Sequence, residues 1–266
     1  MKTNSKETSR KKGSVAGILF LKIIPTILMG WFILYTLAMS VSVWKEVKSR
    51  NQVNGEKRDS LLYTAEEREL IHRKTFLNAR IAMAANDSIG LTIDLSDSLV
   101  RLENKGVILR EIRFSEAEIS RFFKGMRPTP YVATFAKPFK ITEIEGSIVK
   151  EPIQVKKAPR DTTEAAQQTS TTIDTSRVEF VEWHLHLDSS FVVSFIQNDG
   201  KAGNFDWPTI KYRFRRHYQT LLETHRALIR FKLPAYRPEI TVFIPGSEAK
   251  SFYRALPKNG MVAIKL

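Results

Sequence analysis

The chain of 266 residues contains no cysteine. That excludes disulfide frameworks, thiolate-held zinc, iron–sulfur clusters and every thiol nucleophile, while leaving the redox compartment open. Glycine motifs are missing as well: no P-loop, no G-x-G-x-x-G and no G-x-S-x-G elbow occurs, and no H-E-x-x-H accompanies the five histidines. Nucleotide-binding, serine-hydrolase and zincin chemistries therefore lack their usual signatures. Acids are in short supply, 28 against 42 Lys and Arg, for a net charge of +14. With 42% hydrophobic and 26% charged residues the balance is that of a folded chain.

The basic excess sits in two places. Residues 1–60 hold eleven Lys and Arg against four acids, and residues 209–232 hold seven against the single Glu223. Charge beside an apolar segment points to anionic lipid headgroups, worth about 1 kcal/mol per base near the surface. Nucleic-acid phosphate is the less favoured partner.

The one long hydrophobic run is Ile23–Trp44, 22 residues without a charge, and a helix of this length crosses a hydrocarbon core of about 30 Å. Pro25 falls in its first turn, where a missing N–H costs least. Lys22 and Trp44 mark the two headgroup layers. Lys and Arg are balanced on the two sides, so the positive-inside rule gives no orientation; a short basic tail before a single uncleaved signal-anchor places 1–22 in the cytoplasm and the bulk outside it. A cleaved signal peptide is the competing reading. The expected organisation is a basic tail (1–22), a transmembrane anchor (23–44), a juxtamembrane segment and helix (45–86), and an α+β domain (87–266) interrupted at 157–177 by a polar, mobile linker.

Thr64 and Glu67 have the spacing of a capping box, predicting a helix to about Ala85 whose apolar stripe is Leu70, Leu77, Ile81 and Ala84. That stripe suits a stalk packed on the domain or pairing with a second copy through 65–85. Strict alternation predicts strands at 89–95, 98–103 and 107–114, the last two joined by a turn at Asn104-Lys105-Gly106. Ser115 and Glu118 form a second capping box, predicting a short helix closed by Gly125. Further strands are predicted around 131–136, 139–144 and 147–155, a hairpin over VEFVEWHLHL and SFVVSFIQ, a long helix at 208–231, and a closing strand, capped helix and strand. The fold class is α+β: a single transmembrane helix, a helical stalk, and a mixed antiparallel sheet with three or four helices.

The segments IDLSDSLVRLENKGVILREIRFS (93–115) and EAKSFYRALPKNGMVAIKL (248–266) resemble the opening hairpin and closing strand of bacterial L,D-transpeptidases. The family's catalytic stretch, Ser/Thr-x-Gly-Cys after an upstream histidine, has no counterpart here. The resemblance thus implies a degenerate scaffold that keeps an envelope address without the activity.

Two sets of residues are site candidates. His184 and His186 stand two apart on a predicted strand, as metal ligands can, with Asp188 nearby; Trp183, Leu185 and Leu187 form the opposite apolar face, so the histidines fall on a polar face and no metal is assigned. On the long helix, Lys211, Arg215, Arg216, Arg226 and Arg230 fall within an arc of roughly 140°. Ile210, Phe214, Leu221 and Leu228 gather on another face, with His217, His225 and Tyr218 near it. The arginine arc is either the outer face of a helix packed on a sheet or a docking face for an anionic partner. Taken together, the residues predict a single-pass, non-catalytic binding or scaffold protein of the bacterial inner membrane with its bulk in the periplasm, no cofactor, and membrane lipid, cell-wall glycan or an acidic envelope protein as partner. The alternative is an envelope enzyme acting on cell-wall material through an unrecognised site.

Overall fold

The computed structural model describes residues 12–52, 63–150, 180–198, 207–230 and 232–266. The expected linker at 157–177, most of the expected strand at 147–155 and the first half of the basic tail lie outside them. The chain forms two compact units, Met1–Lys48 with Gln219–Tyr236, and Ser49–Tyr218 with Arg237–Leu266.

In the first unit, helix α1 spans Lys12–Gln52 with Pro25 inside it. It outruns the apolar segment at both ends because nothing between Gly30 and Gln52 breaks a helix and Lys45, Glu46, Lys48 and Arg50 all favour one. Polarity, not helix termination, changes at Trp44. Ile23–Arg50 is long and apolar enough to cross a membrane, and Ile27, Leu28, Met29 and Phe32 are each more than 60% exposed. One stripe of α1 meets the 219–236 segment of the same unit: the Ser42 hydroxyl donates to the Pro234 carbonyl at 2.5 Å, and the Trp31 and His225 rings lie 4.9 Å apart.

Among the described residues the second unit has nine strands: β1 (Gly90–Asp94), β2 (Leu99–Asn104), β3 (Val107–Arg113), β4 (Glu116–Ile119), β5 (Phe139–Gly146), β6 (Glu182–Leu187), β7 (Val192–Gln197), β8 (Glu239–Ile244) and β9 (Met261–Lys265). Their order is β3-β2-β1-β9-β5-β6-β7-β8-β4. The β2–β3 turn carries positive φ at Lys105 and Gly106, the conformation of a two-residue hairpin whose twist matches its strands. Six pairings are antiparallel, and β1/β9 and β7/β8 are parallel, so the sheet is more mixed than hairpins alone predict.

One face of this sheet is apolar. Trp183, Leu185, Val193, Phe195, Ile240, Val242 and Ile244 are wholly buried, with Trp183 stacked on Phe195 at 4.0 Å. Helix α6 (Gly246–Ala255) contributes Phe252 and Tyr253 to that core; it begins from Pro245 with no side-chain cap, unlike the capped start expected at Ser247. A second cluster joins Ala263 of β9 to Phe76, Ala79 and Met83 of helix α2 (Ala65–Ala84), whose Thr64–Glu67 capping box forms as expected.

Three expectations are overturned. The inward stripe of α2 is Thr75, Phe76, Ala79 and Met83; Leu70, Leu77 and Ile81 point outward at 64%, 43% and 70% exposure, because the bulkier Phe76 and Met83 fill the space over β9. Residues from Ser115 do not start a helix: the Ser115 N–H and hydroxyl both reach the Phe243 carbonyl, and 116–119 becomes β4 against β8, leaving only the short α3 (Arg121–Lys124). Sheet pairing there satisfies the donors that a cap would have satisfied. Residues 131–136 are not a strand but belong to α4 (Pro128–Phe135), opened by proline at its start and burying Tyr131 and Phe135 one turn apart, 4.8 Å between rings.

Candidate functional site

The other face of the sheet carries the chemistry. Strand alternation puts Glu182, His184 and His186 of β6 on one side, opposite Trp183, Leu185 and Leu187. Pairing aligns His184 with Ser194 on β7 and His186 with Glu143 on β5, and Val192 with Glu239 on β8. Four carboxylates, Glu143, Glu145, Glu182 and Glu239, thus share a face with two histidines and a serine.

Helix α5 (Trp207–Ile229) covers part of this face with polar side chains of residues 207–218, the part that belongs to the second unit. At about 100° per residue, Tyr212, Arg216 and Arg213 occupy one side of the helix. The Arg213 Nε donates to Glu182 Oε2 at 2.5 Å. The Arg216 guanidinium donates to Glu239 Oε1 at 3.2 Å and to His184 Nε2 at 3.1 Å. His184 is wholly buried, its Nδ1 2.6 Å from the Ser194 hydroxyl, which in turn donates to Glu239 Oε1.

The distances fit two proton arrangements of this chain. With Nε2 accepting from Arg216, Nδ1–H donates to Ser194, and Ser194 passes its only proton to Glu239. With Nε2–H donating instead to Glu182 Oε1, 3.2 Å away, Nδ1 accepts the Ser194 proton. Burial pushes the His184 pKa down, and Arg216 adds to the effect against the opposing pull of Glu182, consistent with a neutral ring. For Glu182, burial alone would raise the pKa, but His184 and Arg213 outweigh it and hold the carboxyl below its ordinary value. Ser194 beside a histidine and an acid has the composition of a nucleophile relay, yet its hydroxyl is held between His184 and Glu239 and it is 1% exposed. What this network does chemically is hold a helix.

At the β5 end, one ligand atom each from Glu143, Glu145 and His186 lies within 4.8 Å of the others. His186 Nε2 is 3.7 Å from Glu145, and the interaction with His186 lowers the Glu145 pKa. Among the described residues the buried Tyr212 hydroxyl has no hydrogen-bond partner, and burial, reinforced by the charge of Glu145, raises its pKa.

The two histidines singled out by spacing therefore part company. Both ring nitrogens of His184 are occupied within the network, so it has no position for a metal, whereas His186 faces carboxylates; Asp188 is not in that set. The arginine arc divides too. Lys211, Arg215, Arg226 and Arg230 are exposed, while Arg216 turns inward. Arg213, Tyr212, Glu182, Ser194 and Glu239 were not marked by sequence reasoning. The available signal was the coincidence of acids at alternate strand positions with arginines one turn apart on a helix.

Comparison with protein-family models, curated proteins and solved structures gives no match for this chain.

Proposed function

We propose that this chain is a single-pass, membrane-anchored binding or scaffold protein without catalytic activity, working in the bacterial envelope with its second unit in the periplasm. The observation that carries the reading is the exposed apolar surface of α1: Ile23–Leu34 carries no charged side chain, and its only side-chain polar groups are the Thr26 hydroxyl and the Trp31 indole N–H. The lack of any match to known proteins leaves the L,D-transpeptidase resemblance as a proposal about ancestry, with no activity attached to it. Exposed Lys211, Arg215, Arg226 and Arg230 support an anionic partner, and outward Leu70, Leu77 and Ile81 support pairing with a second copy through 65–85.

The absence of cysteine makes the topology directly testable. A cysteine replacing Val149, 81% exposed, reacts with a membrane-impermeant maleimide once the outer barrier is opened, while one replacing Ser5 does not. The opposite pattern places the second unit in the cytoplasm and overturns the assignment.

The Ser194–His184 contact favours one other reading, an envelope enzyme on cell-wall material. It requires α5 to leave the sheet and the Ser194 hydroxyl, 1% exposed, to become accessible. Turnover of cell-wall fragments by the purified chain, abolished in S194A, would establish it; no turnover in either protein leaves Ser194 as part of the scaffold.

A further inference from the structure

Helix α5 is turned inside out over its first three turns. Its charged residues Arg213 and Arg216 face the sheet, and its large aromatic residues face away: Trp207, Phe214 and Tyr218 are 73%, 71% and 53% exposed. These three lie within an arc of about 40° and extend about 16 Å along the helix, with the Phe214 and Tyr218 rings stacked at 6.3 Å. Lys211 adjoins the row on the wheel and Arg215 follows it, both exposed. Residues 207–218 contain no acid at all. In a soluble helix the apolar stripe is the one that faces the sheet, so this outward row is in place for something other than the core of its own unit.

We infer that residues 207–218 form an interfacial helix whose aromatic row inserts into the headgroup layer of an anionic bilayer; this rests on the membrane-anchored reading above and names the partner of its basic helix. Trp and Tyr side chains, apolar in body and polar at the tip, are suited to that layer. Lys211 and Arg215 sit beside the row, where their stems lie along the apolar boundary and their heads reach lipid phosphate. Insertion is shallow, about 5–10 Å, as for other interfacial helices. The competing occupants fit less well. A second copy of this helix would set Lys211 and Arg215 against their own equivalents with no carboxylate to answer them, and an acidic glycan would meet the cations while offering no hydrocarbon to the rings.

Spin labels placed one at a time test it, again because no native cysteine interferes. The full chain carrying F214C, W207C or Y218C is reconstituted in nanodiscs of neutral phospholipid or of neutral phospholipid mixed with phosphatidylglycerol. Collisions with oxygen and with a water-soluble nickel chelate report immersion. The expected result is a several-fold rise in the oxygen-to-nickel accessibility ratio at all three positions in anionic discs, reduced by high salt or by K211E/R215E, with E116C remaining aqueous throughout. Aqueous labels at 207, 214 and 218 in both lipids overturn the inference. So does dipolar broadening between labels of two chains, which would mean that a second copy covers the row. A label at L28C reports the anchor separately: if it is immersed while 214 is aqueous, only the interfacial helix fails, and if it is aqueous the anchored reading fails as well.

Discussion

Arg213 on α5 places its Nε 2.5 Å from the Glu182 carboxylate on β6, and the two ends of this pair differ in exposure, 42% for the arginine side chain and 5% for the glutamate. A cation at the edge of solvent thus neutralises an acid beneath the helix, and the cost of losing it falls on the acid. We expect R213M to destabilise the unit by about 1–3 kcal/mol, the price of a buried charged acceptor deprived of its best donor, near the lower end because solvent reaches the arginine. R213M/E182Q should recover most of that loss. Urea denaturation in detergent followed by tryptophan fluorescence measures both, and a double variant no more stable than R213M would mean that Glu182 is held mainly by other partners.

The same network sets a pH dependence. His184 is held below its ordinary pKa, so near-neutral conditions favour the folded state: the unfolded chain takes up the proton first as pH falls below about 6.5, and stability declines toward the folded-state value. Glu182 and Glu145 are also held low, which adds a second loss as pH falls through the carboxylate range. Thermal midpoints should therefore drop from pH 7 to pH 5 and drop further below pH 4.5, and H184N should flatten the first part selectively. A wild-type midpoint constant between pH 7 and pH 5 contradicts the neutral, buried ring.

The orientation of α2 makes a contrast between neighbours. F76A removes a ring packed against Ala263 and is expected to cost about 3–5 kcal/mol, whereas I81A, one face away and 70% exposed, should change stability by less than about 0.5 kcal/mol. Equal effects in chemical denaturation would indicate that the outer stripe is covered.

Gly146 makes a close approach at the end of β5. A methyl group there would stand 2.7 Å from the Tyr253 ring, and that ring is 4% exposed with its hydroxyl donating to the Ile148 carbonyl at 3.2 Å. We expect G146A to cost about 1–3 kcal/mol through overpacking, and G146A/Y253F to remain destabilised because the clash involves ring carbons as well as the hydroxyl. Full recovery in the double variant would assign the cost to the hydroxyl alone.

Alternation and caps made much of this fold legible. The hairpins β2–β3 and β6–β7, the α2 capping box and the extent of α5 all follow from local pattern, because each is stabilised by residues close in sequence. The failures share a cause. Ser115 carries the same cap chemistry as Thr64, yet β8, more than a hundred residues away, claims its donors. Leu70 and Ile81 match the helical period as well as Phe76 and Met83 do, and only the surface of β9 decides between them. The candidate network was half visible: two-residue spacing put His184 and His186 on the polar face, but their burial depends on which side of α5 turns inward. Helical period separated the arginines from Phe214 and Leu221 without saying that Arg213 and Arg216, rather than the apolar side, would meet the sheet.

The central position of β9 bears on when this protein acquires its structure. Val262 pairs with both Leu91 and Phe139, so the last strand of the chain joins the β1–β3 hairpin sheet to the strands that carry the histidines. Without β9, the edges of β1 and β5 have no strand between them to pair with. β9 is thus the latch of the sheet: neither half can close on the other until this one strand is in place.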